Sequence, residues 1–65
     1  MKVVIRNPHR KVLELAGKRK VRQLLSELNL NAESHIVIRQ RELLTGDVLL
    51  YDEDEVEVVS AISGG

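Results

Sequence analysis

Apolar positions along this chain switch between two periods, and the switches mark its elements. Lys2-Val3-Val4-Ile5-Arg6 is a β-branched run that predicts a strand over 2–6. Asn7-Pro8-His9-Arg10 reads as a turn, because Pro8 fixes its own φ and drives Asn7 toward extended geometry. Lys11 to Leu15 resumes a strand, with Leu13 and Leu15 on one face, so the N-terminus forms a hairpin. Ala16-Gly17-Lys18-Arg19 is a second turn in which Gly17 can take positive φ. From Lys20 to Leu30 the period lengthens: Val21, Leu24, Leu25 and Leu28 recur at helical spacing, with Arg22, Gln23 and Glu27 on the wet side. Asn29 and Asn31 are stop signals for that helix.

The second half returns to the two-residue period. His35 to Arg39 is a strand, Gln40-Arg41-Glu42 a polar turn, and Leu43-Leu44 a brief further strand before Thr45-Gly46-Asp47. Val48 to Tyr51 reads equally as strand or irregular turn. The acidic loop Asp52-Glu53-Asp54 precedes a last strand from Glu55 to about Ile62. The order ββαβ(β)β implies an α+β fold with a mixed four- to five-stranded sheet and one helix packed across one face. If the first and last strands are central and parallel, the connection between them must carry the helix. Val3, Ile5, Leu13, Leu15, Ile36, Ile38, Val56 and Val58 are then expected to face the helix. Alternation turns Val4, Val12, Val37 and Val59 outward, as an apolar stripe across four strands. Such a stripe is a candidate partner-binding surface; the competing reading is the ordinary preference of valine for strands.

Composition narrows the chemistry. Sixty-five residues make one domain near the lower limit for unaided folding, and with no cysteine there is no disulfide, thiolate metal site or thiol nucleophile. Packing must therefore supply the stability. Twenty-three residues are Val, Leu or Ile, whereas Phe and Trp are absent and Tyr51 is the one tyrosine. No apolar run is long enough to span a membrane and the first residues are too few for a signal segment, so a soluble cytoplasmic protein is expected. Net charge is zero yet uneven: residues 1–22 hold eight Lys/Arg and one acid, and residues 42–57 hold seven Asp/Glu and no base. A fold that sets the basic hairpin beside the acidic last strand neutralises both, and this reading is preferred to a nucleic-acid face. Lys18-Arg19-Lys20-Val21-Arg22 lacks the interleaved aromatics of a base-stacking surface, so no direct nucleic-acid contact is expected. His9 and His35 stand alone, without metal-ligand spacing, and Ser60 and Ser63 have no adjacent base to activate them.

The chemistry that remains is at the end of the chain. Ser63-Gly64-Gly65 presents an unhindered α-carboxylate on two residues without Cβ, able to thread a narrow channel. Gly65 would supply the reacting atom and Gly64 the freedom of approach. Ser63 is small, and Ile62 could fill an apolar pocket at a channel mouth. A carboxylate is a poor acyl donor until it is given a good leaving group.

The ββαββ order, the run from Asp52 to Gly65 and the Gly-Gly end together resemble the ubiquitin-like sulfur-carrier family, whose members serve thiamin and molybdopterin synthesis. The branch serving tRNA 2-thiouridine synthesis has a similar hairpin and a similar Val-Ser-Ala-Ile-Ser-Gly-Gly end. One departure is Glu53-Asp54, where these carriers often have Gly-Asp. The resemblance implies a β-grasp domain over 1–62 with a tail at 63–65. It implies a carrier that is not itself an enzyme and binds no cofactor, its Gly65 adenylated by an E1-like enzyme that consumes ATP. A persulfide donor would make the thiocarboxylate, and a separate sulfur-transfer enzyme would pass the sulfur to tRNA, with molybdopterin or thiamin synthesis as alternative destinations. Relatives can also be joined to lysines of other proteins, so lysine-bearing targets are a second class of acceptor, and Lys2, Lys11, Lys18 and Lys20 offer self-conjugation. A free tail argues for a monomer.

Overall fold

The computed structural model describes residues 1–7 and 9–61; Pro8 and residues 62–65 lie outside them. Among the described residues the strands are β1 (Lys2–Ile5), β2 (Lys11–Glu14), β3 (Arg19–Lys20), β4 (His35–Arg39), β5 (Glu42–Leu44), β6 (Leu49–Leu50) and β7 (Glu55–Ser60), with one helix, α1 (Val21–Glu27). Five of these strands form a mixed sheet in the order β2-β1-β7-β4-β5, and β3 pairs with β6 in a small second sheet. β1 and β7 are central and parallel, in the register Val3↔Val56 and Ile5↔Val58. The first and last strands sit side by side, and the connection between them carries the helix, as a parallel pair requires. The ambiguous stretch before Tyr51 resolves as β6, whose Leu50 is fully buried.

The helix is set in place at both ends. Lys20 N–H donates to Gln23 Oε1 (2.8 Å), half of a capping box. Val21 N–H and Arg22 N–H reach the carbonyls of Val48 and Gly46 (both 3.0 Å), so the 46–48 loop satisfies donors that a helix start leaves open. At the other end Asn29 takes φ 59°, Asn29 N–H bonds Ser26 O (3.1 Å) and Leu30 N–H bonds Leu25 O (2.9 Å). That pair of bonds is a Schellman close, and it ends the helix three residues before the apolar pattern does. Leu30 still packs on the core, which is why the pattern ran on through it.

Met1, Val3, Val21, Leu24, Leu25, Val37, Leu50, Val56 and Val58 form the buried cluster between α1 and the sheet. Each such side chain contributes about 1.5–3 kcal/mol on leaving water, enough to hold a small domain without covalent staples. Val37 corrects an expectation. It is 1% exposed and pairs with Val58 on the core face, while Ile36 and Ile38 take the outer face opposite Val59 and Glu57. The phase of β4 is set by its polar ends. His35 and Arg39 share the parity of Val37 and find partners at the rim of the helix side. His35 Nδ1 lies 3.0 Å from Asn31 O, and Arg39 Nη1 donates to Asp54 Oδ2 (3.0 Å). A one-residue change of phase moves every side chain to the other face, so both isoleucines turn outward together.

The departure at Glu53-Asp54 falls on Glu53, which is not among the residues at positive φ, so its place does not call for glycine. Asp54 Oδ2 accepts from Tyr51 N–H (2.8 Å) as well as from Arg39, and Asp54 O accepts from Lys2 N–H (3.0 Å). The Asp54 carboxylate closes the turn before β7 and ties it to β4, and the Asp54 backbone carbonyl ties it to β1. Gly17 has the expected positive φ, 105°, and its N–H donates to Asp52 Oδ1 (2.6 Å).

Candidate functional site

β7 is the last strand before the C-terminal glycines in the sequence, and Glu57 and Val59 alternate with its core residues onto the sheet face away from the helix. Cross-strand pairing defines that face in rows. Val12 pairs with Val4, Val4 with Glu57, Glu57 with Ile38, and Ile38 with Leu43, one residue from each of the five strands. Val59 and Ile36 pair in the next row, nearer the end of β7. Leu43 is 68% exposed and Val12 43%, whereas Val4 is covered by its neighbours (6%) yet stands outside the core cluster.

Three of the four expected stripe residues, Val4, Val12 and Val59, thus occupy the outer face, and Val37 does not. The structure adds Ile36, Ile38 and Leu43. Two isoleucines on a solvent-facing strand side are a stronger apolar signal than scattered valines. The sequence concealed it, because His-Ile-Val-Ile-Arg reads with equal ease in either phase. Nor is the row purely apolar. Glu57 stands at its centre, its Oε2 accepting from Arg6 Nε at 2.7 Å. That ion pair divides a valine half on β1 and β2 from an isoleucine–leucine half on β4 and β5. Ile62, Ser63, Gly64 and Gly65, the expected channel-binding and reacting residues, lie outside the described residues.

A model of the ThiS family matches residues 4–65. The chain belongs to the ThiS family. It is 49% identical to the sulfur carrier protein TtuB of Thermus thermophilus over 65 residues, all of this chain and all of that protein. One helix against a mixed five-stranded sheet is the β-grasp arrangement of the ThiS and ubiquitin-like folds.

In this ThiS-family chain the uneven charge is resolved internally in part. Arg6 meets Glu57 across the central strands, and Arg39 meets Asp54 where both side chains are partly buried, 27% and 18% exposed. Within the basic run 18–22, Arg19 is half-buried while Lys18, Lys20 and Arg22 stay exposed. Arg19 bonds Glu27 and the carbonyls of Ala16 and Gly17, and Arg22 Nε donates to Gly46 O (3.3 Å). Among the described residues no helix is long and apolar enough to cross a membrane. No three His, Asp or Glu side chains gather there to hold a metal. The carboxyl of Asp47 is held below its usual value, chiefly by the Thr45 hydroxyl (2.6 Å). Its own backbone N–H and the charges of Arg22 and Lys20 assist, against a small opposing cost of desolvation. It lies in the loop that receives the helix N-terminus and has no part in the outer face.

Proposed function

We propose that the chain is a cytoplasmic sulfur carrier, itself the substrate of an E1-like activating enzyme, and that its sulfur goes to tRNA for 2-thiouridine synthesis. The observation that carries this reading is 49% identity, over the full length of both chains, with a protein named as a sulfur carrier. The matched family stretch includes the Gly-Gly pair.

The chemistry asks one atom group of this chain. The Gly65 carboxylate attacks the α-phosphorus of ATP and pyrophosphate leaves, giving an acyl adenylate. The terminal sulfur of a persulfide donor adds to the acyl carbon and AMP departs. A thiol then cleaves the S–S bond, leaving a thiocarboxylate on Gly65 and a disulfide on the donor side. Gly64 and Gly65 admit the close approach this needs, because neither has a Cβ to meet a channel wall. Ile62 and Ser63 enter the channel behind them.

Recognition falls to the folded domain. The outer face, with Val4, Val12, Val59, Ile36, Ile38 and Leu43, docks on the activating enzyme, and the acidic run from Asp52 speeds encounter with a basic partner. The test is reconstitution: the chain, ATP, activating enzyme, persulfide donor, sulfur-transfer enzyme and tRNA, followed by nucleoside analysis. Formation of 2-thiouridine that is lost on deletion of Gly65 supports the proposal. Lysine-linked adducts without thiouridine would move the chain to the class of protein modifiers.

A further inference from the structure

The five-stranded sheet ends in two edges, β2 and β5, and β2 is the longer, four residues against three. Met1 and Leu15 exchange both of their backbone hydrogen bonds, Met1 N to Leu15 O at 2.7 Å and Leu15 N to Met1 O at 2.9 Å. An antiparallel ladder alternates, so with the register Val3↔Leu13 and Ile5↔Lys11 the odd-numbered residues of β2 bond to β1. Val12 and Glu14 therefore turn their N–H and C=O groups away from β1, to the side where the sheet stops. No turn or side chain among the described residues bonds to those groups. Arg10, Lys11, Val12 and Glu14 are all exposed, and the register with β1 runs through without a bulge.

An open edge of this kind is a template for a further strand, and its side chains decide which strand fits. Laid antiparallel on itself about Val12, β2 sets Val12 against Val12 of a second copy. The same register sets Arg10 of each copy against Glu14 of the other, an opposite-charge pair at both ends. These three residues share one parity, so they lie together on the outer face, and the outward backbone groups meet one another in the ladder. Other registers lose this match. Centring on Glu14 opposes two carboxylates, and centring on Leu13 puts Val12 against Glu14 and Arg10 against Ala16. Nor does the other edge offer it, since β5 paired on itself about Leu43 brings Arg41 to Thr45 and forms no ion pair.

We propose that β2 is a self-association edge, through which two copies of this chain pair antiparallel about a two-fold axis at Val12 and join their sheets into one. The occupant is a second copy because the charge pattern from Arg10 to Glu14 complements itself. A two-fold contact closes on itself, so association stops at the dimer. The end of β7 stays clear of the contact, because β1 lies between β7 and β2. The isoleucine–leucine half of the outer face lies on the far side of β7 and is open in both copies.

Sedimentation equilibrium of the full chain over roughly 10 µM to 1 mM, the span of weak association, is expected to show monomer and dimer in equilibrium. Glu14→Arg opposes like charges at both ends and should weaken the dimer about tenfold. Adding Arg10→Glu to that chain restores opposite charges and recovers the wild-type constant. Val12→Pro removes an N–H that faces solvent in the single copy, so the thermal midpoint changes little while the dimer is lost. In wild type the Val12 and Glu14 amides should exchange more slowly as concentration rises, whereas Leu13, already bonded to β1, is unaffected. A monomer at every concentration, a dimer indifferent to Glu14→Arg, or a double variant that fails to recover would each overturn the proposal. If Val12→Pro unfolds, the two exposed charge positions decide the question alone.

Discussion

At the scale of single residues, Val37 and Ile38 are neighbours in β4 that answer to different surroundings. Val37→Asp would bury an unpaired carboxylate in the core beside Val58, at a cost of ~4 kcal/mol or more, which a domain of this size cannot absorb. Ile38→Lys places a cation opposite Glu57 on the solvent side. It should leave the melting midpoint nearly unchanged while weakening binding to the activating enzyme about tenfold. Circular-dichroism melts and a titration of the two variants check both halves, and a stable, folded Val37→Asp would contradict the assigned register. This is also where the sequence was least legible. The alternation of β4 was plain, but its phase depended on partners for His35 and Arg39 that come from Asn31 and Asp54, remote in one case by fifteen residues.

Elements were easier to read than faces, and where they differ from expectation the reason is a backbone device without its usual residue. The β4–β5 turn places Gln40 at φ 52° and Arg41 at φ 68°, a two-residue type I′ turn that favours Asn-Gly. The double substitution Gln40→Asn with Arg41→Gly should raise stability by about 1 kcal/mol, seen as a higher denaturant midpoint at constant slope. No gain would mean the turn is not strained. The 45–48 loop carries a pH signature. Because the folded Asp47 carboxyl titrates below its ordinary 3.8, its contribution is fully present above that value and fades as pH falls through the folded value. Thr45→Ala removes the main cause, so the Asp47 resonance should titrate closer to 3.8. An unmoved titration would assign the effect to the backbone and to Arg22 and Lys20 instead.

For the molecule as a whole, the parallel pairing of the first and last strands organises everything else. It sets the basic hairpin against the acidic end and brings Arg6 to Glu57. It also places Val59, near the end of β7, opposite Ile36 on the apolar outer face. The central parallel pair was legible as a condition, because strands of like direction need the helix in the connection between them. The bond from Ser60 N–H to Asn7 Oδ1 was not, since nothing local in Asn-Pro-His-Arg indicates a partner 53 residues away. Leu24 lies at the centre of the helix–sheet contact with no exposed surface. Leu24→Ala should cost about 2–5 kcal/mol, most of the stability of a small domain, and lower the thermal midpoint far enough to leave much of the chain unfolded at roughly 37 °C.

The most direct measurement is the mass of the protein after incubation with ATP, the activating enzyme and a persulfide donor, with fragmentation to locate any change. The expected result is one oxygen replaced by one sulfur on Gly65, absent when Gly65 is deleted and absent without ATP. An unchanged mass in the presence of an enzyme that forms the adenylate, or a sulfur found anywhere but the terminal glycine, would contradict it.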